Sequence, residues 1–170
     1  KASMKQTLNF LRLKNIYLTF FVIGIGVVFF GIAGWSYRTE PRKSVVLLPN
    51  NAEIVKLGRL VYSKNCASCH GPKLEGQTNW RERGPDGKLP APPHDQTGHT
   101  WHHSDEYLFQ LTKYGIAKMI GQKYPNNMPA YAELLNDREI IAVLSFIKST
   151  WPQETQRRHD RINNRVRDTQ

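Results

Sequence analysis

The apolar positions of this 170-residue chain fall into one continuous block and three periodic ones. The block, residues 16–37, reads IYLTFFVIGIGVVFFGIAGWSY and carries no charge. As a helix rising ~1.5 Å per residue it is ~33 Å long, enough to cross a ~30 Å hydrocarbon core. Tyr17, Trp35 and Tyr37 lie near its ends, where aromatic rings suit the headgroup zone. A cleaved signal peptide has a shorter apolar stretch, ~7–15 residues, and then a small-x-small site. Here the run ends in Gly34-Trp35-Ser36-Tyr37-Arg38, which predicts an uncleaved transmembrane anchor over 16–37 behind a basic segment, 1–15. Lys1, Lys5, Arg12 and Lys14 precede the run and Arg38, Arg42 and Lys43 follow it, a slight vote for a cytoplasmic N-terminus.

The periodic blocks predict helices. Residues 38–50, RTEPRKSVVLLPN, hold Pro41 and Pro49 and read as a tether. Asn51 is then an N-cap for a helix through AEIVKLGRLVYSKN, where Ile54, Leu57 and Val61, with Val55 and Tyr62 alongside, approximate a 3.6-residue period. Gly58 inside it costs about 1 kcal/mol relative to Ala, so another element should pack closely there. Residues 71–103 are irregular, with a turn signal at Gly84-Pro85-Asp86-Gly87. So long a loop needs something functional to organise it. Ser104 caps a second helix near 105–116, with Asp105 and Glu106 in its first turn and Tyr107, Leu108, Leu111 and Tyr114 or Gly115 as its buried stripe. Residues 117–135 read as loop. Asn136 or Asp137 caps a last helix, REIIAVLSFIKST, stopped by Pro152 and buried through Ile140, Val143, Leu144, Ile147 and Trp151. The tail, 152–170, has so little apolar content that a mobile or partner-bound segment is expected, with His159 solvated. No strand is predicted, and the fold class is all-α.

Charge changes the picture little. The net +10 is concentrated in residues 1–43, where seven Lys/Arg meet one acid. That excess suits anionic lipid headgroups. Residues 50–151 hold twelve basic and ten acidic residues, with no basic stripe interleaved with aromatics, so no nucleic-acid partner is expected. Gly24, Gly31 and Gly34 fall near one face of the apolar run, where small residues admit a neighbouring helix.

The chemistry sits at Cys66-Ala67-Ser68-Cys69-His70. Two thiols three positions apart, followed at once by an imidazole, form the attachment signature of c-type heme. A short helical turn aligns both sulfurs along one porphyrin edge, and the next residue supplies the proximal axial ligand. Structural zinc normally takes four Cys/His ligands, and this chain has two cysteines. A thioredoxin-like dithiol belongs to an alternating strand/helix pattern, absent here, and a plain disulfide leaves His70 without a role.

An electron carrier wants a sixth ligand that resists exchange. Of the three methionines, Met4 precedes the apolar run and Met119 follows the middle helix. Met128 lies in Tyr124-Pro125-Asn126-Asn127-Met128-Pro129-Ala130-Tyr131, a Pro-bracketed loop suited to holding a thioether rigidly, and is the expected ligand. His94, His99, His102 and His103 form a second cluster, read as a metal site, as propionate contacts together with Trp101 or Trp80, or as surface polarity.

The CxxCH motif, the Met128-Pro129 loop and the helices around them resemble the class I c-type cytochromes over residues 50–151. The resemblance implies three to four helices around one covalent heme c. Cys66 and Cys69 would carry the porphyrin, with His70 and Met128 on the iron. It implies that Gly58 and Tyr62 meet Val143 and Phe146 on the last helix, with Leu144 as the alternative partner. It also implies that a proline carbonyl, Pro92 or Pro93, accepts the His70 Nδ1–H. With the anchor, the chain is most similar to membrane-tethered monoheme cytochromes of bacteria, with the heme domain in the periplasm. The implied function is one-electron transfer between respiratory or photosynthetic membrane complexes, as shuttle or integral subunit. The partners would be redox proteins and membrane lipid, with no small-molecule substrate. No nucleophile–base pair points to an enzyme. An open distal site would instead suit a gas- or peroxide-reactive sensor or catalyst, and a structural heme would suit an assembly subunit.

Overall fold

The computed structural model describes residues 44–120 and 124–169. The anchor expected at 16–37, with Met4, Gly24, Gly31 and Gly34, lies outside them. Among the described residues there is no strand, and no helix is long and apolar enough to cross a membrane. The helices are α1 (Ala52–Asn65), α2 (Ala67–His70), α3 (Asp105–Tyr114), α4 (Ile116–Ile120), α5 (Asp137–Ser149) and α6 (Gln153–Asp168), with a 3-10 turn at Thr100–His102.

Three caps form where the sequence puts them. The Asn51 side chain accepts from Ile54 N, Ser104 from Tyr107 N, and Asn136 from Glu139 N in a reciprocal capping box. The packing centre is the α1–α5 crossing. A Cβ on Gly58 would sit 1.9 Å from Ala142 O and 2.8 Å from the Phe146 Cβ, so only glycine admits this approach. The Tyr62 and Phe146 rings lie 5.5 Å apart. The expected partner Phe146 is therefore in place. The glycine meets the Ala142 backbone instead of Val143, which is buried in the same core with Leu144.

Two expectations are corrected. The tail is no loose segment. Residues 153–168 form α6, which packs on the 3-10 turn. His159, expected in solvent, is fully buried: its ring meets Trp151 edge-on and its Nε2–H donates to His103 O at 2.8 Å. Asn163 fastens the same face, donating to Asp105 Oδ1 (3.0 Å) and accepting from Asp105 N (2.8 Å). Polar groups dock this helix, which is why a search for apolar periodicity passes over it.

The tether is also partly docked. Leu47 is buried, its N–H donating to Asp105 Oδ2 at 2.9 Å, and Leu48 N donates to Ser145 Oγ at 2.9 Å. Residues 117–135, expected as loop, include the single turn of α4.

Candidate functional site

α1 ends where the motif begins. Cys66 N donates to Tyr62 O (2.9 Å) and His70 N to Cys66 O (2.9 Å), so Cys66, Cys69 and His70 share one helical turn. The thiols are not joined to each other. Burial, then the neighbouring Cys69, pushes the Cys66 thiol up to about 11, so it stays protonated. Tyr62, eight residues before His70, donates its hydroxyl to Gly71 O at 2.8 Å and so fixes the end of that turn.

His70 is buried and held from two sides. Its Nδ1–H donates to Pro92 O at 2.8 Å, which decides between the two prolines. That bond commits Nδ1 as donor and leaves Nε2 with its lone pair, the state in which imidazole binds a metal. Burial lowers the His70 pKa, and the Pro92 bond opposes that shift. Against its face lies His94, ring centroids 3.9 Å apart and planes at 22°. His94 is pushed well below the usual imidazole range by burial, then by His70 and His99, and its Nδ1 lies 2.8 Å from the Thr100 hydroxyl.

The segment carrying Pro92 and His94 is tightly seated. Leu74, buried with φ +68°, accepts at its carbonyl from His94 N (2.8 Å) and Asp95 N (3.3 Å). That left-handed conformation is costly for leucine and persists because surrounding contacts fix it. Gly76 N donates to His70 O (2.8 Å), and a Cβ on Gly76 would lie 2.4 Å from Pro93 N. The bare glycine lets the proline pair approach His70. Pro93 contributes as backbone, its carbonyl lying against Gly98.

Met128 packs against the core to which Cys66, Ala67 and Trp101 also pack. Its N–H donates to Asn126 Oδ1 at 3.0 Å. Three residues on, the Tyr131 hydroxyl donates to Asn65 O at 2.7 Å, tying the methionine loop to the residue before Cys66. Burial pushes this phenol up to about 12, so it remains a donor. Met119 lies half-buried on α4.

The histidine cluster is an aromatic stack. Trp80 stacks on His99, His99 meets His103 edge-on, His103 stacks on Tyr107, and Trp101 stacks on His102. The Trp101 indole donates to Gln96 O at 3.3 Å. Among the described residues no group of three or more His, Cys, Asp or Glu side chains is arranged to hold a metal ion, so the second-metal reading is not supported. Sequence reasoning missed His94 as a neighbour of His70; its position two residues past Pro92 is the signal that was available.

The donor set fits a covalent heme: two unpaired sulfurs and a tautomer-fixed imidazole on one turn, a thioether tethered to the residue before that turn, and an apolar surround. A small helical domain built around such a turn defines a c-type heme protein. The model of the family described as Cytochrome c matches residues 55–151, and the chain belongs to the cytochrome c family, whose members carry covalent heme and transfer electrons. No curated protein and no solved structure matches the chain. α6 lies beyond the matched residues.

Proposed function

We propose that this heme-based electron carrier takes its porphyrin on Cys66 and Cys69 and its iron between His70 and Met128. We further propose that residues 16–37 tether it to a bacterial cytoplasmic membrane with the heme domain in the periplasm. There it passes single electrons between respiratory or photosynthetic complexes, as shuttle or fixed subunit. The observation that carries the reading is the CxxCH turn with His70 Nδ1–H donating to Pro92 O.

When bound, heme supplies a one-electron Fe(III)/Fe(II) couple. The chain's own residues do the rest. Pro92 and His94 hold the His70 ring, so the proximal ligand keeps its orientation when the charge changes. The Met128 thioether and the His70 imidazole would hold the iron, a donor pair that would raise the reduction potential relative to two nitrogen donors. Tyr131 and Asn126 restrain the loop that presents the thioether. Leu74 and Tyr131 contribute to the apolar core that keeps water away.

The test is to produce the full chain in a host that matures c-type cytochromes. The expected product is heavier than its polypeptide by one heme, fractionates with membranes, and exchanges electrons with the complexes that co-purify. A polypeptide of unaltered mass sinks the heme assignment. A heme-loaded chain that stays with soluble protein sinks the tether.

A further inference from the structure

We propose that residues 80–91 form a clasp over the methionine loop, with Arg83 and Lys88 as positioning residues that keep residues 124–128 closed. The proposal rests on Met128 being the second axial ligand.

The long loop is closed at its base. Gln77 N donates to Ala91 O and Ala91 N to Gln77 Oε1, each at 2.8 Å. Its tip is a tight turn, Gly87 N donating to Gly84 O and Gly84 N to Lys88 O, each at 2.9 Å. Arg83 braces that turn by donating to Gly87 O at 2.6 Å. From this platform two cations reach the segment before Met128. The Arg83 guanidinium lies 5.1 Å from the Tyr124 ring centroid and donates to its hydroxyl at 3.3 Å. Lys88 Nζ donates to Asn127 Oδ1 at 2.7 Å, with Asp86 Oδ2 3.6 Å away.

Among the described residues, these are the side-chain hydrogen bonds that tie 124–127 to another segment. The remaining ones are internal: Asn126 Nδ2 to Tyr124 O (2.8 Å) and Met128 N to Asn126 Oδ1 (3.0 Å). The loop is thus a stiff hook. Tyr131 fastens one end to Asn65, and the clasp fastens the other. A soft thioether holds ferric iron weakly, so the closed fraction depends on what restrains the loop. The clasp contacts are exposed and each is worth only a few-fold in an equilibrium constant, together about tenfold.

The test uses heme-loaded full chain in its ferric form and imidazole as entering ligand, above its pKa where it is neutral. A neutral probe matters because removing two cations would itself slow an anion. Binding rates are compared for the natural protein, Arg83→Ala/Lys88→Ala, Lys88→Arg and Met128→Ala. The double variant is expected to bind imidazole about five- to tenfold faster, and Lys88→Arg within twofold of the natural protein. Met128→Ala sets the rate of an open site. Should it be fast while the double variant stays within twofold of the natural protein, the clasp is overturned and the ligand assignment stands. Should Met128→Ala bind no faster than the natural protein, the assignment of Met128 falls, and the clasp with it. Far-UV circular dichroism of the double variant excludes unfolding as the cause of a faster rate.

Discussion

The imidazole of His94 lies flat against that of His70, centroids 3.9 Å apart, while the carbonyl of Pro92, two residues earlier, takes the His70 Nδ1–H at 2.8 Å. One short turn therefore grips both the edge and the face of the His70 ring. The grip reaches α5 and α6. Trp151 Nε1 donates to His94 O at 2.7 Å, and the Trp151 ring meets His159. α6 and the turn that holds His70 are thus parts of one packed unit.

His94→Ala removes a half-buried ring that stacks on His70 and leaves the Thr100 hydroxyl without its partner. A loss of about 2–3 kcal/mol is expected. His94→Phe keeps a stacking face and should recover more than half of it. Denaturant midpoints of the heme-loaded proteins check both values. Equal stability of the alanine variant and the natural protein contradicts the stacking role.

Gly58→Ala pits two effects against each other. Helix propensity favours alanine by about 1 kcal/mol. The added Cβ would lie 1.9 Å from Ala142 O and 2.5 Å from its carbonyl carbon, where backbone must move. Forced separation of packed elements costs about 1–3 kcal/mol or more, so net destabilisation is expected. A thermal melt that rises instead would place α1 and α5 farther apart than they are here.

Helix starts and the heme motif were legible because each depends on neighbours in sequence. Asn51, Ser104 and Asn136 cap their own helices, and Cys66, Cys69 and His70 share a turn by spacing alone. Pro92 and Pro93 are chemically identical neighbours, so only the fold, through Gly76 and Leu74, selects the carbonyl. α6 escaped notice because hydrogen bonds from His159 and Asn163 dock it. Those two residues are four apart, with half-buried Ile162 and Val166 nearby, a helical stripe that apolar counting underweights.

Asp105 joins three segments: Leu47 N and Asn163 Nδ2 donate to its oxygens, and its own N–H donates to Asn163 Oδ1. Asp105→Ala leaves buried donors without acceptors and should cost about 3–4 kcal/mol. Hydrogen exchange is expected to speed up in residues 44–48 and in α6 together, since one carboxylate holds both. Faster exchange in α6 alone would show that the tether is held by other contacts.

His159 predicts a stability loss on acidification. Burial, then the Lys148 charge, lowers its pKa, while Asp105, the His103 carbonyl and Asp160 oppose that shift. The ring is neutral in the fold, with Nε2–H on His103 O and no hydrogen-bond partner for Nδ1. Below the ordinary histidine pKa of about 6.5 the unfolded chain takes up a proton that the folded chain refuses. Stability is therefore full above that pH and falls as pH drops toward the lowered folded pKa. The limiting slope is about 1.4 kcal/mol per pH unit for each such group. His94, His99 and His103 are shifted the same way by burial, so the total slope belongs to several rings. His159→Gln can still donate to His103 O but does not titrate. Denaturant unfolding at neutral pH and about one unit below 6.5 should show a shallower pH dependence in this variant than in the natural protein. Parallel curves would mean that His159 titrates alike in the folded and unfolded chain, and a steeper fall in the variant would mean that His159 is protonated in the fold, with the Asp105 carboxylate 3.5 Å from its Nε2 holding the charge.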